Sequence, residues 1–362
     1  MRKNLTRNAF FLALLALAAV PAEARRTKNF RRMPKRPAVV EEPAVSTVPV
    51  VPRLMGGRWT PEVRAALDKF LAERWKGAPG YDPARPPVAV LPWSDALVVG
   101  DPAELVFLRL STDVDFRFDD AWWEIIPGGH GRQPARAAYN QFISLSSAVW
   151  SSQPDYHIYR KAVLGSYIGL CREVGRRECR QYLMRLWAGW REDEAVDYAR
   201  QSLAVEKSRP GGVELVRAEA GDPSPLRVRR GLRLIPEMRD LALKLREAGV
   251  DVWVVDDVPQ PVLAASAADY GIDPSRVAGI RAAPDGTRLS ASVLKPVPTR
   301  SGKAEIVKAS VGRPPDLAVA RDGADLDLMS FGDGLRVILS GDKGLEAKAR
   351  EKGWLIQPSL AR

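Results

Sequence analysis

Histidine and cysteine are nearly missing from this chain, with two of each among 362 residues. His130 and His157 stand at no metal-ligand spacing, so both are expected on loops or at the surface. Two cysteines are likewise too few for a metal site of their own. Long hydrophobic runs are missing as well: the apolar stretch from Ala9 to Val20 falls short of the roughly 20 residues that a membrane span needs. No transmembrane segment is therefore expected in the mature chain.

That short stretch follows Arg2, Lys3 and Arg7 and precedes Ala22-Glu23-Ala24, a small-x-small pattern. A basic start, an apolar middle and a small-residue end describe a removable export signal. Residues 1–24 are expected to be cleaved, and the mature protein to be exported, periplasmic or extracellular. An exported chain sits where disulfides persist. Cys171 and Cys179 would lie about 12 Å apart on one continuous helix, too far to bridge, whereas a turn at Gly175 would bring them together. The spacing leaves both arrangements open.

Acidic residues are missing from 25 to 36 (RRTKNFRRMPKR), where seven side chains are basic. The chain carries a formal charge of +11. Without the three basic residues and Glu23 of the signal it carries +9, of which this arm supplies seven charges. The remainder is close to balanced, so the Arg25–Arg36 arm is a separate electrostatic object. It is expected as a solvated tail able to contact an anionic surface or cell-envelope polymer. Nucleic acid is not an expected partner outside the cell. Residues 37–53 mix Pro, Val and acids without amphipathic period and read as an extended linker.

The remaining composition, 46% hydrophobic and 27% charged, suits one large domain or two smaller ones. Pro61 starts an amphipathic helix over 61–75 with Val63, Leu67, Phe70 and Leu71 on one face. Proline-bounded Val88–Leu91 predicts a buried strand. From about 135 to 208 the pattern is helical and rich in aromatics: Trp150, Tyr167, Tyr182, Trp187, Trp190 and Tyr198. Rings at helical spacing are expected as core, with a cage for a quaternary ammonium ligand as the functional alternative.

Beyond Gly231, strands alternate with helices. Strands are predicted over 250–255, 277–281, 316–319 and 335–339, helices over 236–248, 261–270, 303–311, 325–331 and 344–352, and a hairpin at Asp285-Gly286. This alternation argues an α/β fold with a doubly wound parallel sheet, whose ligands sit at the carboxyl ends of the strands.

An isolated first strand, a helical insert and then Rossmann-like alternation resemble the haloacid dehalogenase (HAD) superfamily. The resemblance is to its exported phosphoserine-phosphatase-like and phosphorylcholine-phosphatase-like branch. The matching segments are VAVLPWSDALVVGD (88–101), VDVWVVDDVPQ (250–260), GKAEIV (302–307), LAVARDGADLDLM (317–329) and KGLEAKAREKGWLIQP (343–358). It implies a HAD core begun in 54–134, a helical cap over 135–230, and the rest of the core over 231–362.

The family's chemistry needs a nucleophilic carboxylate, a second carboxylate two residues on as acid and base, and a magnesium ion. The resemblance places Pro92 at the nucleophile, Ser94 at the acid and base, and Ala96 at the following Thr. It puts Asp256 at the second-motif hydroxyl, Lys303 at the lysine, and Arg321 and Asp325 at the fourth-motif acids. Pro92 has no nucleophilic atom, and Asp256 would repel a phosphate.

Asp256 and Asp325 balance Lys303 and Arg321, so the set is neutral without a metal. No magnesium site, no other cofactor and no catalytic residue are expected. Arg321 is expected in the cation position, paired with Asp256 or Asp325, and Lys303 and Arg321 are the candidates to contact a phosphate-ester ligand. Asp95, and Asp113 with Asp115, are alternative acids, and Asp256-Asp257 with Asp322 and Asp325 are an alternative site for a different metal. Asp95 is off the strand's period of two, Asp113 lies one helix too late, and solvated or salt-bridged roles are expected for the others. The expected function is a catalytically inactive pseudophosphatase that acts by binding or scaffolding, with an active phosphomonoester hydrolase as the alternative.

Overall fold

The computed structural model describes residues 50–361. The signal segment, the Arg25–Arg36 arm and most of the linker lie outside the described residues. The first helix, Pro61–Arg74, starts where the sequence places it. The Thr60 hydroxyl accepts the Val63 backbone N–H at 3.3 Å, and Val63, Leu67, Phe70 and Leu71 are its buried residues.

Six strands form one sheet, in the order Leu355–Gln357, Leu335–Leu339, Leu317–Ala320, Val88–Leu91, Asp251–Pro259 and Val277–Ile280. Every pairing is parallel. The first strand in sequence lies in the middle, next to the second and the fourth. This is the doubly wound order in which the chain reverses direction beside the first strand, leaving a crevice at the strands' carboxyl ends.

Period-two alternation divides the core between the sheet's faces. Val88, Val90, Trp253 and Val255 pack with Ile306, Val307 and Leu328, while Ala89, Leu91, Val252 and Val254 join the larger core. Helices Ser301–Val311, Leu326–Met329 and Lys343–Lys352 thus supply partners for one face. Both faces being covered explains why these strands read as continuous apolar runs.

The strand expected over 250–255 continues to Pro259 through Asp256 and Asp257, with a register shift between Val255 and Pro259. Gln260 closes the irregularity: it accepts the Gly279 N–H at 2.6 Å and donates to the Val277 carbonyl at 3.2 Å. Gly279 is needed there, because an added Cβ would stand 2.4 Å from the Val258 carbonyl oxygen. The helix expected over 325–331 is a turn at Gly323–Asp325 followed by Leu326–Met329.

The helical insert begins earlier than the sequence pattern places it. Helix Pro102–Asp113 already belongs to it, and Phe107 packs edge-on against Tyr167 and Tyr182. Leu105–Leu110 is buried around most of its circumference, so it shows little amphipathic contrast and its helix escapes a periodicity reading. Helices Arg132–Phe142, Pro154–Val174, Arg176–Arg185 and Glu192–Ser208 complete the layer. It ends in a hairpin, Gly212–Val216 with Leu226–Arg230, that the helical reading of this region does not contain.

The aromatic side chains pack on one another: Phe118 against Trp122, Trp123 and Tyr139, and Trp187 against Trp190 and Tyr198. They form core. Gly175, at φ 81°, breaks the path between Pro154–Val174 and Arg176–Arg185, and Cys171 and Cys179 are joined in a disulfide with Cα atoms 5.0 Å apart.

Candidate functional site

The strand Val88–Leu91 ends in a tight turn in which the Ala96 and Leu97 N–H groups donate to the Trp93 carbonyl at 3.2 and 2.9 Å. Pro92, Trp93, Ser94 and Ala96 are buried, and Asp95, at φ 52°, is half-buried. Beside this turn the neighbouring strand presents Asp256. Its Oδ2 accepts the backbone N–H groups of Trp93 at 2.5 Å and Ser94 at 3.0 Å, and its Oδ1 accepts that of Asp257 at 2.7 Å. Burial pushes the Asp256 carboxyl up. The charges of Lys303 and Arg321 and the N–H groups of Trp93 and Ser94 more than offset it, holding the group well below the ordinary carboxylate range.

Helix Ser301–Val311 brings in Lys303 from its first turn. The ammonium is buried, bonds to Asp325 Oδ1 and lies 4.0 Å from Asp256 Oδ1. Burial opposes its charge, yet Asp325 and Asp256 raise its pKa above the usual lysine value. The other Asp325 oxygen accepts the backbone N–H groups of Arg321 at 2.8 Å and Asp322 at 3.3 Å. Asp256, Lys303, Arg321, Asp325 and Ser94 therefore meet at the carboxyl ends of the central strands.

The partner expected for Arg321 is corrected by the structure. Its guanidinium does not pair with Asp256 or Asp325. It bonds to Asp322 and lies 3.4 Å from Asp95, close enough that its charge still helps to hold the Asp256 carboxyl low. Asp95, Arg321, Asp322, Asp342 and Lys343 line a crevice of about 520 Å³ at the carboxyl end of the sheet.

The other acids and the histidines stand apart. Asp113 pairs with Arg109 at 2.9 Å, His130 contacts Glu173 at 2.5 Å, and His157 meets the Ser151 carbonyl at 2.9 Å. Sequence reasoning missed one contributor from the helical layer. Arg180 is fully buried, binds Asp101 through both terminal nitrogens, and has Nε 4.0 Å from Asp257 Oδ1. One arginine among four in RRECRQYLMR carries no local signal of burial. Burial raises the Asp257 pKa to about 6, against the pull of Arg180 and with a push from Asp256.

Asp256 and Asp325, the carboxylates at the motif positions, are already engaged within the protein. Both Asp256 oxygens already accept backbone N–H groups. Asp325 is taken by Lys303 and by two further N–H groups. Among the described residues, no three or more His, Cys, Asp or Glu side chains form a group able to hold a metal ion. The arrangement is a polar brace with three half-buried carboxylates, Asp95, Asp322 and Asp342, along the crevice beside it.

No family model and no curated protein matches the sequence. Among solved structures, the fold is similar to a conserved protein of unknown function from Anaerococcus prevotii, at 19% identity and TM-score 0.73 over 84% of this chain and 93% of that one. A HAD family hydrolase from Salmonella enterica serovar Typhi matches at 7% identity and TM-score 0.40, over 72% of this chain and 64% of that one. A phosphoserine phosphatase captured as a phospho-aspartyl intermediate analogue matches at 12% identity and TM-score 0.35, over 72% and 90%. A parallel doubly wound sheet with a helical layer after its first strand is the architecture that the haloacid dehalogenase resemblance implies.

Proposed function

We propose that this chain is an exported pseudophosphatase: a phosphatase-type fold that binds or scaffolds and does not hydrolyse phosphate esters. The observation that carries the reading is Pro92, which follows the first strand, where the resemblance would put an attacking carboxylate, and offers no atom to attack phosphorus. Two neighbours support it. Asp256 accepts three backbone N–H groups, and Lys303 is paired with Asp325. Export through residues 1–24 and contact of the Arg25–Arg36 arm with an anionic envelope surface belong to the same proposal. Amino-terminal sequencing of the protein recovered outside the cytoplasm tests the first, with Arg25 as the expected new start.

The alternative, an active phosphomonoester hydrolase, draws support from Asp95, a half-buried carboxylate on the crevice wall. The deciding assay offers p-nitrophenyl phosphate, phosphoserine and phosphocholine to the purified protein with and without magnesium. No turnover above background is expected. Magnesium-dependent turnover that Asp95→Asn abolishes would establish the hydrolase instead. Binding without turnover is tested by thermal shift with the same esters, and stabilisation lost in Arg321→Gln would place the ligand in the crevice.

A further inference from the structure

The hairpin that closes the helical layer has two unlike faces. Toward the body of the protein, Glu214 bonds to Arg230 and lies 2.5 Å from Arg160, and Val216 is buried. Cross-strand register pairs Val213 with Arg229 and Leu215 with Arg227 on the other face. There Val213 is 50% and Leu215 37% exposed, and Arg227 and Arg229 are exposed too. Arg217, the next residue of the same alternation beyond the strand, is also exposed. None of these three guanidiniums makes an ion pair or hydrogen bond to another described residue, and the only acid on either strand, Glu214, faces inward. The outward positions of the two strands, with Arg217 just beyond, thus carry two aliphatic side chains and three unpaired cations, and the next exposed acid, Glu219, lies past the strand's end.

We propose that this face docks on an anionic phospholipid surface. Arginines without internal partners call for an anionic occupant, and phosphate accepts the guanidinium fork well. The two aliphatic tips decide the class. Val213 and Leu215 enter the interfacial layer while the flanking arginines spread to headgroup phosphates, the division of labour of interfacial anchors. An acidic polypeptide would use the charges and leave both tips in water. The inference does not depend on whether the sheet-edge site turns over a phosphate ester.

The test is cosedimentation of the full chain with vesicles of phosphatidylcholine alone and of phosphatidylcholine mixed with phosphatidylglycerol. Binding is expected only to the mixed vesicles and falls with added salt. R227Q/R229Q is expected to weaken it roughly thirtyfold, from about 1 kcal/mol for each basic residue at an anionic surface. V213S/L215S also weakens it, and both variants keep the parent's thermal midpoint. Mixed-vesicle binding equal to the parent's in both variants overturns the proposal and leaves the contact elsewhere in the chain. Vesicle binding unaffected by R227Q/R229Q, together with lost binding to polyglutamate, overturns it in favour of an acidic polypeptide.

Discussion

Asp256 and Trp93 are tied across neighbouring strands: the carboxylate of one accepts the backbone N–H of the other at 2.5 Å. A side chain whose oxygens also serve Ser94 and Asp257 acts as a brace between two strand ends. Its charge is offset in part by Lys303, shared with Asp325, and in part by Arg321.

Asp256→Ala is expected to destabilise the protein by about 3–5 kcal/mol, because it orphans buried N–H groups and strips part of the compensation from a buried lysine. The urea midpoint measures this. Asp256→Ser, which puts a hydroxyl at this strand end, is expected to yield no phosphatase activity if the proposed function holds, since Pro92 is unchanged.

Asp257 and Asp256 give opposite pH dependences. With its folded pKa raised to about 6, Asp257 binds its proton more tightly in the folded state. Its contribution to stability is complete below the unfolded value of about 4 and is lost as the pH climbs from there to about 6. Asp256, held low, contributes above about 4 and loses its contribution as the pH falls below that. Asp257→Asn is therefore expected to remove a decline on the order of 2 kcal/mol between pH 4 and 6. Urea midpoints for parent and variant across that range decide it, and parallel curves would refute the assignment.

Arg180 joins the helical layer to the sheet edge through Asp101 and Asp257. Arg180→Ala is expected to cost about 3 kcal/mol, because Asp101 loses its buried partner and keeps only Arg176, at 3.2 Å, and its helix N–H groups. Adding Asp101→Asn recovers part of that loss, a non-additivity that a double-mutant cycle reads directly.

The disulfide closes a loop of eight residues around Gly175. Loop-closure entropy puts its contribution near 2.5 kcal/mol. C171S/C179S is expected to lower the unfolding free energy by about that amount and to leave the sheet-edge residues in place, which amide exchange at Trp93 and Ser94 monitors.

Helix 61–74, the buried strand at Val88 and the alternation beyond Gly231 were legible because each is written in local pattern. Amphipathic period, proline boundaries and apolar runs are properties of consecutive residues. The helix at Pro102 was not legible, since burial on nearly every side erases the period, and the strand's extension through Asp256 and Asp257 runs against their low strand preference.

The order of the chain by itself determined that a proline follows Leu91, the last residue of the first strand, and that the nearest carboxylate after it is Asp95. Which charges pair was decided only by the tertiary structure. Arg321 chose Asp95 and Asp322 over Asp256 and Asp325, and Arg180 came in from another layer, because ion pairing depends on which groups strand ends bring within a few ångströms. One aspartate reads like the next until the fold sets those distances.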